Sequence, residues 1–248
     1  MLEAGEAIMK IYRAGIEAEY KEDGSPVTKA DRHSEEILLS GINQFAPGVP
    51  IISEENLESH KIKPDDYFFL VDPLDGTKEF LDFNGAGNFT VNIGLIFNGQ
   101  PIMGLIYVPV TKKLFLGIST RGSYVEDEVG NIKRMMTNTK FNSSSEIIAV
   151  ASKKHRSKST DDWLLKNKIT EIISASSSIK FCSIANGEAD VYPRFGPTME
   201  WDTAAGHAIL LGAGGYVTLG DEKTILSYGK TEYRNSDFIA WGCHKSKT

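Results

Sequence analysis

The sequence predicts a layered α/β protein of two domains, α+β in its first half. Two observations carry that prediction. Between residues 67 and 126 short apolar segments follow one another around turn residues, whereas beyond residue 146 candidate strands alternate with candidate helices. With 248 residues, 41% of them hydrophobic, the chain can bury a large core as one or two domains, and no apolar run approaches the ~20 residues of a membrane span.

In chain order, Leu2, Ile8, Ile11, Tyr12 and Ile16 are spaced as on one face of a helix over residues 2–20. Gly24-Ser25-Pro26-Val27-Thr28 reads as a turn, and Ile37, Leu38, Ile42 and Phe45 form the apolar face of a second helix. Strands are expected at Val49–Ile52 and Tyr67–Val71. Phe89–Phe97 and Pro101–Val108 then flank Asn98-Gly99, a pair suited to a tight hairpin, and Lys113–Ile118 and Gly122–Glu126 extend the antiparallel sheet. The polar stretch Asn138–Ser145 is the candidate linker, which divides the chain into domains 1–138 and 139–248. Beyond it the pattern predicts strand Ile147–Ala151, helix Thr160–Lys166, strand Ile169–Ser174, helix Ser178–Asn186, strand Asp190–Pro193 and helix Thr203–Leu211. Strands at Tyr216–Leu219 and Phe238–Trp241 complete it, with Gly212-Ala-Gly-Gly215 as a helix-ending turn.

Composition narrows the function. A net charge of −6 argues against a nucleic-acid polymer as partner, though a small anion can still sit in a local positive pocket. Two cysteines, Cys182 and Cys243, provide no disulfide framework and read as small core residues. The acidic start, Met1-Leu2-Glu3-Ala4-Gly5-Glu6, lacks the layout of a signal peptide, so a cytoplasmic location is expected, with peripheral membrane association left open.

The chemistry concentrates at Asp72-Pro73-Leu74-Asp75-Gly76-Thr77, directly after the apolar run Tyr67–Val71. A buried strand ending in two carboxylates gathers oxygen ligands where the chain turns, and hard cations such as Mg²⁺ take oxygen ligands. The Leu74 carbonyl offers a third. Gly76 lets the backbone bend closely, and Thr77-Lys78-Glu79-Phe80-Leu81 can open a helix whose first N–H groups face a phosphate. Glu54-Glu55 after Ile51-Ile52-Ser53 repeats the layout of strand followed by acid. The plainer alternative is a pair of solvated surface turns.

These motifs resemble the magnesium-dependent, lithium-sensitive phosphatases of the inositol monophosphatase superfamily, and within it the CysQ branch of 3′(2′),5′-bisphosphate nucleotidases. The stretches that carry the resemblance are Ser25–Asp31, Ser53–Glu55, Leu70–Phe80, Phe89–Ile93, Ser177–Cys182, Asp190–Thr198 and Trp201–His207. The resemblance implies an alternating α/β/α/β/α sandwich of the type shared with fructose-1,6-bisphosphatase. It further implies two or three Mg²⁺ ions held by Glu54, Asp72, the Leu74 carbonyl, Asp75 and Asp202. Asp31 and Thr77 match the pair that orients and deprotonates the attacking water. Ser177, Lys180 and Arg194 match positions near the phosphate that is not cleaved, and His155 lies beside the base or that phosphate. Glu54, Gly76, Thr77 and Asp202 count among the substrate contacts as well.

Plainer roles stand beside these. Asp31 and Asp202 could each cap a following helix, and Lys180, Arg194 and His155 could be solvated surface charges. The segment Asp82–Phe89 is longer than the usual loop of the family, with Asn88 where a Glu often stands.

The expected activity is hydrolysis of 3′-phosphoadenosine 5′-phosphate to AMP and phosphate, clearing a by-product of sulfate assimilation, with the related phosphosulfate as a second substrate. The protein is expected as a monomer or homodimer. An inositol or sugar monophosphatase is the nearest alternative. A non-catalytic metal or nucleotide sensor is the more distant one, since a binder has no use for a water-activating pair.

Overall fold

The computed structural model describes residues 1–15, 18–20, 26–82, 88–138, 147–152 and 156–243. Helix α1 (Leu2–Ala14) is followed by the short hairpin β1 (Ala18–Tyr20) and β2 (Pro26–Thr28), then by helix α2 (Lys29–Phe45). The apolar spacing over residues 2–20 does not continue as helix, because Gly15 takes a φ of +99° and the chain then pairs as a strand. Pro26–Thr28, expected as turn, is the returning strand of that hairpin. On α2, Ile42 packs inward but Phe45 is 91% exposed, so the apolar face ends one turn earlier than its spacing suggests.

A seven-stranded sheet follows: β3 (Ile51–Ser53), β4 (Tyr67–Asp75), β5 (Thr90–Phe97), β6 (Gln100–Val108), β7 (Lys113–Ile118), β8 (Gly122–Glu126) and β9 (Ile132–Met135), in that spatial order. The short helix α3 (Thr77–Leu81) lies between β4 and β5. Only β3 and β4 run parallel; the other neighbours are antiparallel, with Asn98 and Gly99 at positive φ in the β5–β6 hairpin. Strand β9 has no counterpart in the sequence reading, since three of its four residues are exposed and give no apolar alternation.

The second sheet is built from β10 (Ile148–Ala151), β11 (Glu171–Ser174), β12 (Val191–Arg194), β13 (Tyr216–Leu219) and β14 (Phe238–Trp241), in the order β11-β10-β12-β14-β13. Its helices are α4 (Lys158–Lys166), α5 (Ile179–Ala185) and α6 (Ala204–Gly212). Most of the expected linker lies outside the described residues. Cys182 is buried as expected, whereas Cys243 is only half-buried.

The layers follow from which faces are apolar. Helices α1 and α2 pair and cover one face of the large sheet, while α6, apolar on all sides, lies against β5, β6 and β7 on the other. Glycines let α6 come close: a Cβ on Gly104 would stand 2.1 Å from the Ala205 carbonyl oxygen, and Gly94 and Gly117 are similarly crowded. Helix α5 packs beside α6 and against β10 and β12. Trp163 and Leu164 of α4 join Val191, Ile239 and Trp241 on the outer face of the small sheet. The result is an α/β/α/β/α stack, as the fold class anticipated. Among the described residues no helix is long and apolar enough to cross a membrane.

Candidate active site

Parallel pairing of β3 with β4 sets Ser53 opposite Val71, and the Glu54 N–H donates to the Val71 carbonyl at 3.1 Å. The carboxylates that follow, Glu54 and Asp72, therefore emerge side by side from adjacent strands. Strand β4 does not end at Val71 but runs on to Asp75 through Pro73. Proline has no N–H to give the ladder, and the β4–β5 register shifts between Asp72 and Asp75. In that irregularity the Leu74 N–H turns to Asp72 Oδ1 at 3.0 Å, and the Ser34 hydroxyl donates to the Pro73 carbonyl at 2.7 Å. Gly76 takes φ +92°, which favours glycine, and starts α3.

Asp202 arrives from the other half of the chain, in a 3₁₀ turn before α6. It does not cap α6, whose N-cap position is Thr203; its Oδ2 accepts the Met199 N–H at 2.8 Å instead. Glu54, Asp72 and Asp202 each present a carboxylate oxygen within 4.8 Å of the other two. Burial, then the charges of Glu54, Asp75 and Asp202, hold the Asp72 carboxyl well above its usual range. Burial, then Asp75 and Glu54, does the same to Asp202. Carboxylates packed against one another in this way are what a bound cation would relieve, and an all-oxygen donor set fits a hard divalent ion.

Asp75 stands at the edge of this cluster. Its Oδ2 accepts from the Ser177 hydroxyl at 2.5 Å, the Ser178 N–H at 2.8 Å and Asn92 Nδ2 at 3.3 Å. The Ser178 hydroxyl donates to Asn92 Oδ1 at 2.8 Å, and Thr90 Oγ1 lies 2.6 and 2.8 Å from the Ser177 and Ser178 hydroxyls. Thr90, Asn92 and Ser178 are buried. They occur in the quoted motifs but received no role from the sequence. The available signal was two polar residues, Thr90 and Asn92, on one face of an otherwise apolar strand.

Asp31 is almost fully buried in the first turn of α2. Its Oδ2 accepts the Thr28 N–H and the Thr28 hydroxyl, both at 2.7 Å, which completes a capping box with Thr28 as N-cap. Its Oδ1 faces the Thr77 hydroxyl at 3.3 Å, and that hydroxyl is also 3.3 Å from the Leu74 carbonyl. Burial pushes the Asp31 carboxyl up to about 6 against the lowering effect of the Thr28 hydrogen bonds, and the Glu55 charge adds to the rise.

A cavity of about 150 Å³ opens beside these groups, lined by Asp75, Gly76, Ser177, Lys180, Arg194 and Asp202 among others. Lys180 is buried, with Nζ donating to the Ser177 carbonyl at 2.7 Å and standing 5.2 Å from the centre of the Tyr192 ring. Burial lowers its ammonium to about 8, with the Asp75 charge opposing. Arg194 Nη2 donates to the Pro197 carbonyl at 3.0 Å. The cavity continues into a shallower groove of about 590 Å³ bounded by Thr77, Lys78, Arg156 and Pro197. A larger hollow of about 820 Å³ along α1 includes none of the expected site residues. His155 and most of the long loop after α3 lie outside the described residues.

The sequence profile of the inositol monophosphatase family matches residues 1–246. The 3′(2′),5′-bisphosphate nucleotidase CysQ of Salmonella typhimurium is 38% identical over 238 residues, covering 95% of this chain and 94% of that protein. The CysQ nucleotidase of Buchnera aphidicola is 40% identical over 243 residues, 96% of this chain and 89% of its own. The crystal structure of CysQ from Bacteroides thetaiotaomicron superposes with a TM-score of 0.84 at 40% identity, over 99% of this chain and 94% of that one. A Thermotoga maritima IMPase gives a TM-score of 0.78 at 21% identity, over 98% of this chain and 89% of that one, a likeness of fold.

Proposed function

The chain belongs to the inositol monophosphatase family, and from that premise we propose that it is a metal-dependent 3′(2′),5′-bisphosphate nucleotidase hydrolysing 3′-phosphoadenosine 5′-phosphate to AMP and phosphate. The observation that carries the reading is the meeting of two opposite features. A cluster of buried carboxylates adjoins a small cavity that also holds the buried cation Lys180. One phosphate belongs at each.

Glu54, Asp72, the Leu74 carbonyl, Asp75 and Asp202 would hold two or three Mg²⁺ ions. Cations bound there supply positive charge against the phosphoryl oxygens and lower the pKa of water. Thr77 orients the attacking water through its hydroxyl, and Asp31 takes the proton through Thr77, a relay supported by the Thr77–Asp31 contact of 3.3 Å. Ser177, Lys180 and Arg194 receive the 5′-phosphate by charge-assisted hydrogen bonds, and the family resemblance assigns His155 to the base or that phosphate. Gly76 lets the phosphate approach the backbone. The phosphosulfate analogue fits the same reading, because the groove past Arg194 leaves room beyond the 5′-phosphate. We also propose that the chain divides near residue 138, a division supported by two sheets that share no strand.

Phosphate release from 3′-phosphoadenosine 5′-phosphate, its phosphosulfate, 3′-AMP and inositol 1-phosphate tests the assignment. The bisphosphate should be strongly preferred, since inositol monophosphate has no second phosphate for Lys180 and Arg194. Lys180→Ala should lower kcat/KM for the bisphosphate by ~10-fold or more while affecting 3′-AMP much less, each charge-assisted bond being worth roughly 1.5–3 kcal/mol. Equal losses on both would place Lys180 at the cleaved phosphate and favour the inositol or sugar phosphatase.

A further inference from the structure

The two carboxylates that complete the acidic cluster come from segments far apart in sequence, and one imidazole touches the neighbour of each. His60 Nε2 lies 2.8 Å from the Ser53 carbonyl oxygen, and Ser53 directly precedes Glu54. A carbonyl can only accept, so Nε2 carries the hydrogen. The same ring stacks on Trp201 with centroids 4.8 Å apart and planes 21° from parallel, and Trp201 directly precedes Asp202. Trp201 is buried.

The segment from Ser53 to Ile62 forms a strap between the two halves. Ser59 closes it from within: its hydroxyl donates to the Asn56 carbonyl at 2.6 Å and accepts the Ser53 N–H at 3.0 Å. At the far end the Tyr233 hydroxyl donates to the Ile62 carbonyl at 2.5 Å, and the Tyr233 ring packs 6.3 Å from Trp201. Opposite, the Asp202 turn is fixed by Asn235, whose Nδ2 donates to the Met199 carbonyl at 2.7 Å. His60 and Tyr233 thus connect the strap that follows Glu54 to the segment that leads into Asp202.

We propose that His60 is a positioning residue of the metal centre, setting the separation of Glu54 from Asp202 through its bond to Ser53 and its stack on Trp201. The inference rests on reading Glu54, Asp72 and Asp202 as metal ligands. Outer-shell groups that orient a metal's ligands without touching the ion change its affinity by roughly 10–100-fold when they are replaced.

Calorimetric titration of the metal-free full chain with Mg²⁺, with the Tm of each metal-free variant measured beside it, reads this directly. His60→Ala should weaken Mg²⁺ binding by about 10-fold or more. His60→Phe, which keeps the stack, should recover much of the loss, and Tyr233→Phe, which loses only the bond to Ile62, should weaken binding to a smaller degree. A lowered Tm in His60→Ala with Mg²⁺ affinity within about twofold of the parent would reduce His60 to a structural residue and overturn the proposal. Should His60→Ala fail to fold, parent-like affinity in both His60→Gln and Tyr233→Phe would overturn it as well. A parent protein that takes up no Mg²⁺ would sink the metal reading itself, a result separate from any effect of His60.

Discussion

The two oxygens of Asp31 have different duties. Oδ2 is held by Thr28 in a capping box, which leaves Oδ1 aimed at the Thr77 hydroxyl. The sequence offered a helix cap or a proton acceptor at this position, and the geometry is compatible with both at once. Asp31→Asn keeps the side-chain size, and Thr77→Ala removes the relay hydroxyl. Each should lower kcat by about 10²-fold or more with little change in KM, because proton transfer acts in the transition state. Steady-state kinetics on the bisphosphate checks this, and a folded Thr77→Ala variant with the parent's kcat would remove the relay.

The raised Asp31 carboxyl also sets a direction with pH. An acceptor must be deprotonated, so kcat should decline as pH falls through about 6, the inflection moving lower as cations accumulate beside it. A pH–rate profile with no fall on its acid side at any Mg²⁺ concentration, as long as the enzyme stays folded, would exclude Asp31 as the acceptor. At this scale Glu54, Asp72 and Asp75 were legible as acids that follow apolar strands, whereas Asp31, Asp202, Lys180 and Arg194 took their roles from the resemblance. Thr90, Asn92, Ser178 and His60 were not, since a hydroxyl, amide or imidazole reveals its partner only once distant segments meet.

Among the elements, β4 and α6 make the site. The apolar pattern of β4 announced a strand ending at Val71, but pairing continues past Pro73 with a register shift, and the shift turns Leu74 N–H to Asp72. Periodicity cannot report such an irregularity, because it alters which groups face each other without altering which residues are apolar. The missing β9 has the opposite cause, pairing at a sheet edge without burial. Helix α6 was legible as an apolar run, yet not the glycine stripe that receives it. Gly104→Ala would drive a methyl into the Ala205 backbone, so it should cost about 1–3 kcal/mol in stability and loosen the turn that carries Asp202. Denaturant unfolding should show the loss, and Mg²⁺ affinity should fall with it. Unchanged stability would mean that α6 can shift away without penalty.

Across the whole molecule the acidic cluster opposes folding until a cation arrives, and this inverts the response to acid. In the metal-free chain Asp31, Asp72 and Asp202 keep their protons to higher pH than in the unfolded chain. In that window the folded state binds more protons, so their contribution rises as pH falls. His207 acts the other way. It is fully buried and pushed down to about 3, so below about 6.5 only the unfolded chain takes its proton and stability is lost. With three carboxyls against one imidazole, the Tm of metal-free protein should be higher at about pH 5.5 than at about pH 7.5. Saturating Mg²⁺ keeps the carboxylates charged and leaves His207 in control, so the loaded protein should show the reverse order. Thermal melts at both pH values decide it: the same order with and without Mg²⁺ would show that these carboxyls do not carry the effect. The layered α/β class itself was readable from the alternation of strands and helices, while the five-layer order of the stack came from the family resemblance. Strand order in the small sheet was not. There β14 lies between β12 and β13, so a strand made near residue 240 fills an interior place. On the ribosome, at roughly 5–20 residues per second, Asp72 precedes that strand by roughly 10–30 s. The large sheet can pair during that interval, but Asp202 has no finished sheet behind it. A chain terminated before residue 202 therefore carries two of the three clustered carboxylates and no enzyme, and cellular quality control meets it as an unfinished product.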